Sequence, residues 1–181
     1  MDLTENLFAS ERVFKGRLLG LRRDTVVLPD GRRGTREVVE HPGAVGIVAL
    51  TDADEVLMVE QYRYAVGRTL LEIPAGCLEP GESPLDCAVR ELREETGASA
   101  ASWTPLGYIY PTAGCSNEAI HLFAARTLAF SDGKLDDDEF LTLRAVPWTE
   151  VLEQCVSGEN HDAKTVVALL RLARLRAAGQ F

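Results

Sequence analysis

Three glutamates are the residues best spaced to do chemistry. Glu91, Glu94 and Glu95 stand at i, i+3 and i+4 in AVRELREETGA, a spacing that brings helical side chains onto one arc. Carboxylates so close repel one another unless a cation sits among them. An all-oxygen donor set selects a hard ion, Mg²⁺ or Mn²⁺. Arg90 can pair with Glu94 one turn on and hold that carboxylate in place. A solvated acidic face has the same spacing, and spacing alone does not separate the two readings.

A short helix must present these groups. Ser83 suits an N-cap, Pro84 the first helical position, and Asp86 the acid of a capping box. Leu85, Ala88, Val89 and Leu92 repeat at i, i+3, i+4 and i+7, which predicts one apolar stripe. Gly97 supplies a left-handed stop. The helix therefore runs from about 83 to 96, entered from the Gly- and Pro-rich loop GCLEPGE.

Gly76, then Glu82 after five residues, then Arg90-Glu91-Leu92-Arg93-Glu94-Glu95-Thr96-Gly97-Ala98 after seven more, resembles a complete Nudix box. The resemblance implies that family's fold and Mg²⁺-dependent cleavage of a nucleoside diphosphate linked to another group. It implies Glu91, Glu95 and the Ala75 carbonyl as metal ligands and Glu94 as a further ligand or its support, with Glu94 and Glu95 also taking part in catalysis. Gly76, Glu82, Arg90 and Gly97 would serve the loop and the surroundings of the ligands.

Composition bounds the rest. The chain has 181 residues, 46% of them hydrophobic, enough for one domain with a small appendage and with no run approaching a membrane span. Its N-terminus, MDLTENLFASERVF, lacks the basic start and apolar stretch of a signal peptide. The scattered Cys77, Cys87, Cys115 and Cys155 read as reduced, mostly buried thiols of a cytoplasmic protein. His41, His121 and His161 form no metal pattern. A net charge of −9 argues against a nucleic-acid backbone as partner. A small phosphorylated molecule remains compatible, given a metal and local arginines.

Taken in order, residues 11–41 read as a small antiparallel sheet turning at Pro29-Asp30-Gly31. This gives an N-terminal arm, 1–41, and a main domain, 42–181. AVGIVAL (44–50) is apolar throughout, a strand buried on both faces, and with VLMVEQY (56–62) it predicts a hairpin. TLLEIPAG (69–76), WTPLGYIY (103–110), AIHLFAART (119–127) and FLTLRAVPW (140–148) read as further strands. Helices follow near 149–157 and from the N-cap Asp162, the latter with Val166, Leu169, Leu170 and Ala173 inward. The pattern is α/β, a mixed sheet between helical layers, and it agrees with the α/β/α sandwich that the Nudix resemblance implies.

Outside the box, REVVEHPGAV, VEQYRYAVGRTLLEIPAG, YPTAGCSNE and DAKTVVALL resemble bacterial ADP-ribose pyrophosphatases. One departure is Ala113, where that subfamily has proline. The resemblance implies hydrolysis of ADP-ribose to AMP and ribose 5-phosphate, with another nucleotide sugar such as GDP-mannose, a dinucleotide, or a non-catalytic ADP-ribose-binding module as alternatives. It places Arg63 on the diphosphate, with Arg36, Gly114 and Glu118 as further substrate contacts. The general base would come from LDDDEFLTL, where Glu139 is favoured, although four consecutive acids also describe a solvated turn. It further implies a homodimer in which residues 1–41 pack against the partner.

Overall fold

Residues 2–130 and 140–181 are described by the computed structural model. They cluster into two compact units, Met1–Gly43 with Tyr110–Ala119, and Ala44–Ile109 with Ile120–Phe181.

In the first unit, β1 (Asn6–Lys15), β2 (Gly20–Val27) and β3 (Arg33–Glu40) form an antiparallel sheet in that order. Gly31, at φ +83°, closes the turn between β2 and β3, where a side chain would be strained. Every residue of β1 is exposed, Leu7, Phe8, Val13 and Phe14 among them. β2 carries the buried carboxylate Asp24, which accepts from Ser10 at 2.6 Å and pairs with Arg22 at 3.0 Å. The distant segment 110–119 joins through the Cys115 carbonyl, which accepts from Val39 N–H at 2.8 Å, and through Asn117, which accepts from His41 N–H at 2.8 Å.

The second unit begins with β4 (Ala44–Ala49), β5 (Glu55–Arg63), β6 (Arg68–Glu72) and β7 (Ala75–Cys77). α1 (Pro84–Thr96), β8 (Ala98–Ile109), β9 (Ile120–Phe130), β10 (Leu141–Pro147), α2 (Trp148–Ser157) and α3 (Ala163–Ala177) follow. A mixed sheet has the order β7-β4-β9-β8, with β4 and β9 parallel, and a second sheet the order β10-β5-β6. All six residues of β4 are buried. Val45, Ile47 and Ala49 share a core with Ala88 and Leu92 of α1, while Ala44 and Val48 share another with Leu169 and Leu172 of α3. Helices thus cover both faces of β4, the layering of an α/β/α sandwich.

Three expectations need correction. β4 and β5 do not form a hairpin: they join at a single bridge, Leu50↔Val56, and continue into different sheets. A strand buried on both faces needs neighbours on both edges, and β7 and β9 take those places. The run 69–76 is two strands, because Pro74 has no N–H to continue a ladder and its carbonyl accepts from Ile47 at 2.9 Å. Finally, Leu85 and Val89 are 43% and 45% exposed. Ala88 and Leu92 of that stripe are buried, and α1 buries Cys87, Glu91, Glu95 and Thr96 with them, a face rotated toward the glutamates. On α3 likewise Leu170 is exposed and Leu172 buried.

Candidate functional site

Local chemistry sets α1 as its sequence predicts. Ser83 Oγ accepts from Asp86 N–H at 3.2 Å and bonds the Asp86 carboxylate at 2.6 Å. Gly97, at φ +67°, donates its N–H to the Arg93 carbonyl at 2.9 Å. The helix so bounded lays its glutamates against β7. Glu91 and Glu95 are only 7% and 5% exposed. Glu95 accepts from Ala75 N–H at 3.0 Å. A Cβ on Gly76 would stand 1.9 Å from the Glu91 carboxyl carbon, so glycine is the residue that lets this carboxylate reach the β7 backbone.

Arg90 ties the group together. Its Nη1 donates to Glu91 at 2.7 Å and to Glu94 at 2.9 Å. Nε and Nη2 both donate to Glu82 at 2.9 Å, and Nη2 also donates to the Cys77 carbonyl at 3.2 Å. Glu82 accepts from Glu79 N–H at 3.0 Å as well, which closes the loop before the helix. The Arg90 bond, then that main-chain bond, hold the Glu82 carboxyl down at about 2. The same Glu82 bond raises Arg90, against burial. Burial first, then the Glu82 charge, push the Cys87 thiol up to about 12, so it is no nucleophile near neutral pH.

The donors fit a hard divalent cation: all are carboxylate or carbonyl oxygens, and two of the carboxylates are buried on one helix face, Glu91 over Gly76 and Glu95 on Ala75 N–H. Among the described residues no three acidic, His or Cys side chains already converge on one point; Glu91 and Glu94 are joined through Arg90 instead.

Arg63, at the end of β5, donates from Nε and Nη2 to the two oxygens of Glu72 at 2.8 and 2.7 Å. The sequence reading does not single out Glu72, although an acid inside the apolar run TLLEIP is a signal that could have found it. Tyr108 and His121 carry none. Their rings lie 5.7 Å apart in a cross-strand row, Gly76–Val45–His121–Tyr108, on the sheet face that carries Glu91.

The second unit therefore brings together Ala75, Gly76, Glu82, Arg90, Glu91, Glu94 and Glu95, with Gly97 capping their helix. Arg36, Gly114 and Glu118 belong to the first unit. There Arg36 is paired with Glu5, and Glu118 lies 3.8 Å from His41. Glu139 lies outside the described residues. All four cysteines are free thiols; Cys87 and Cys155 are buried, Cys77 is partly so, and Cys115 alone of the four is exposed.

Comparison with known proteins gives a consistent picture. Residues 40–169 match the NUDIX domain, and residues 7–39 the nucleoside diphosphate sugar hydrolase N-terminal domain. The chain is similar to an ADP-ribose pyrophosphatase of Bacillus subtilis, 41% identical over 93% of this chain and 92% of the relative. It is also 46% identical to an ADP-ribose pyrophosphatase of Mycobacterium tuberculosis, over 90% of this chain and 80% of that one. In fold it resembles a crystal structure of an ADP compounds hydrolase, with a TM-score of 0.85 over the full length of both chains at 23% identity.

Proposed function

The chain belongs to the Nudix family, and from that premise we propose that it hydrolyses ADP-ribose to AMP and ribose 5-phosphate with a divalent metal, Mg²⁺ or Mn²⁺. The observation that carries the reading is the inward turn of Glu91 over Gly76 and of Glu95 onto Ala75 N–H. Two buried carboxylates beside a third are costly unless a cation is to join them, which disfavours a solvated acidic face. The substrate class is supported by the two ADP-ribose pyrophosphatases similar to this chain over most of its length.

Glu91, Glu94, Glu95 and the Ala75 carbonyl would hold the metal. When bound, it lowers the pKa of a water and offsets diphosphate charge. The remaining work falls to the chain. Arg90 holds Glu82, Glu91 and Glu94 in alignment through its hydrogen bonds. Arg63 offers positive charge to the phosphate that leaves, which gains charge as the bridging P–O bond breaks and the water oxygen bonds the other phosphorus. Glu139 takes the proton of that water. On this reading Glu139→Gln lowers kcat with KM within a few-fold, whereas Asp137→Asn is nearly silent; equal effects would remove Glu139 from the role.

The working form is a cytoplasmic homodimer. Its support is β1, exposed along its whole length with Leu7, Phe8, Val13 and Phe14 outward, a surface of the kind that a partner covers. Deletion of residues 1–35 should give a monomer with raised KM, and a truncated dimer with unchanged KM refutes the assignment.

The deciding experiment is turnover of ADP-ribose, GDP-mannose, NADH, diadenosine polyphosphates and CoA, with product identification, in Mg²⁺ and in excess chelator. The expected result is AMP and ribose 5-phosphate from ADP-ribose, in Mg²⁺ only. Tight ADP-ribose binding without turnover would make the chain a binding module instead.

A further inference from the structure

Among the described residues, the most deeply buried charge of the second unit lies outside the Nudix box. Glu72 is 1% exposed, and it sits between two cations. Arg63 grips it through Nε and Nη2 from β5. Lys164, near the start of α3, donates its ammonium to the same carboxylate. Lys164 also bonds Asp162 at 3.0 Å, and the second Asp162 oxygen accepts from Thr165 N–H at 3.0 Å as the helix cap. Thr165 Oγ in turn accepts from Ile73 N–H at 2.9 Å. The charges run in a row, Asp162, Lys164, Glu72, Arg63, alternating in sign. Only the last is substantially exposed, its side chain 41% open against 10% for Lys164.

The strand register says which way that end points. Val59 pairs with Glu72 and Arg63 with Arg68, so Arg63 and Glu72 share a face of the hairpin. Leu57 lies on that face too, and it belongs to the core cluster of Ala88 and Leu92 of α1. Arg63 therefore faces the side on which α1 carries its glutamates. The charge of Glu95 is among those that raise the Arg63 pKa, after the Glu72 bond.

We propose that Glu72, backed by Lys164, is the positioning residue that decides which edge of Arg63 meets a bound diphosphate. A guanidinium has five N–H groups in a rigid fork. Glu72 takes the edge of Nε and Nη2 and turns Nη1 outward, together with the second hydrogen of Nη2. Among the described residues Nη1 has no hydrogen-bond acceptor. A bidentate carboxylate also fixes the side chain before the substrate arrives, so less entropy is lost on binding. Glu72 alone would cancel the charge it positions. Lys164 restores it, and Asp162 in turn balances Lys164.

The inference rests on the reading of Arg63 as a diphosphate contact, and one set of variants separates the two. Steady-state kinetics with ADP-ribose and Mg²⁺ are compared for wild type, Arg63→Ala, Glu72→Gln and the double variant. Glu72→Gln should raise KM about tenfold with kcat within a few-fold, the scale of one charged hydrogen bond. Arg63→Ala should raise KM at least as much. The double variant should match Arg63→Ala alone, because Glu72 acts through the arginine. Additive effects on KM, or an unchanged KM in folded Glu72→Gln, overturn the proposal while leaving Arg63 on the diphosphate. An unchanged KM in Arg63→Ala removes Arg63 from the substrate and the inference with it. Should Glu72→Gln fail to fold, Lys164→Met replaces it: a raised KM in the wild-type background and none in the Arg63→Ala background supports the proposal, and any other pattern overturns it. If the panel identifies another nucleoside diphosphate derivative, the same cycle is run on that compound.

Discussion

Two carboxylate clusters in the second unit are built on opposite charge ratios. Around Arg90, one guanidinium serves three carboxylates, Glu82, Glu91 and Glu94, with Glu95 beside them on the helix. Around Glu72, two carboxylates and two cations alternate and balance. Both hold buried charge, and neither is a simple stabilising pair, since desolvation offsets much of what a buried ion pair gains. On the proposed function, the surplus of negative charge would receive a divalent cation, and the balanced row would aim a charge at the diphosphate.

The sharpest way to break this contrast is to remove charge from the surplus cluster. Glu95→Gln keeps an oxygen for Ala75 N–H but removes the negative charge, and kcat should fall by about a hundredfold or more. Thermal unfolding in chelator should barely change, because glutamine keeps the acceptor for Ala75 N–H and relieves repulsion from the neighbouring carboxylates. Unimpaired turnover, or full wild-type activity in chelator, sinks the assignment of this cluster to metal.

Gly76→Ala comes next. The added Cβ would overlap the Glu91 carboxyl at 1.9 Å, a clash with the end of that side chain that displacement of the carboxylate relieves. Activity should fall about tenfold or more, with the apparent Mg²⁺ requirement raised. A Mg²⁺ titration of rate checks it, and an unchanged midpoint would show that Glu91 need not rest on Gly76.

Arg90→Met tests the hub itself. Three carboxylates then lose their shared cation, and stability in chelator should drop by about 2 kcal/mol, below the full cost for a buried pair because Arg90 is partly solvated. Added Mg²⁺ should raise Tm more in this variant than in wild type, since any ion that binds the folded state now relieves more repulsion. Equal Mg²⁺ shifts in the two proteins would contradict the surplus.

The smallest effect is in acid. Arg90 holds Glu82 at about 2 against an ordinary 4.5, so on acidification the unfolded chain takes the proton first. The stability this contributes is complete above about 4.5 and is lost as pH falls toward about 2. Glu72 is opposed by burial, yet Arg63 and Lys164 lower it on balance, and it adds in the same direction. Urea unfolding of Glu82→Gln should therefore show a flatter pH dependence than wild type over that window. Parallel curves would mean that Glu82 titrates alike folded and unfolded.

Much of the fold and of the candidate site is legible in the sequence, and the legible part is local. The bounds of α1 follow from Ser83, Pro84, Asp86 and Gly97, whose bonds reach no further than four residues. The order of strands and helices follows from runs of apolar residues in the same way, and the spacing of Glu82, Arg90, Glu91, Glu94 and Glu95 along the chain is enough to mark the box. What only the tertiary structure decided is which partners these elements take. Apolar residues at 44–50 and 56–62 suit a hairpin locally. Yet β4 has two faces and two edges to fill, and β7 and β9 fill the edges from up to about eighty residues away. The apolar stripe of α1 is likewise only half buried, Ala88 and Leu92 inward and Leu85 and Val89 out. The face turns instead toward Gly76, where Glu91 closes on the backbone, and a glycine's effect across space is invisible along the chain. Glu72 finds Arg63 nine residues back and Lys164 ninety-two residues on. Caps and turns are made by neighbours in sequence, whereas strand edges, helix faces and buried charges are satisfied by whatever the folded chain brings beside them.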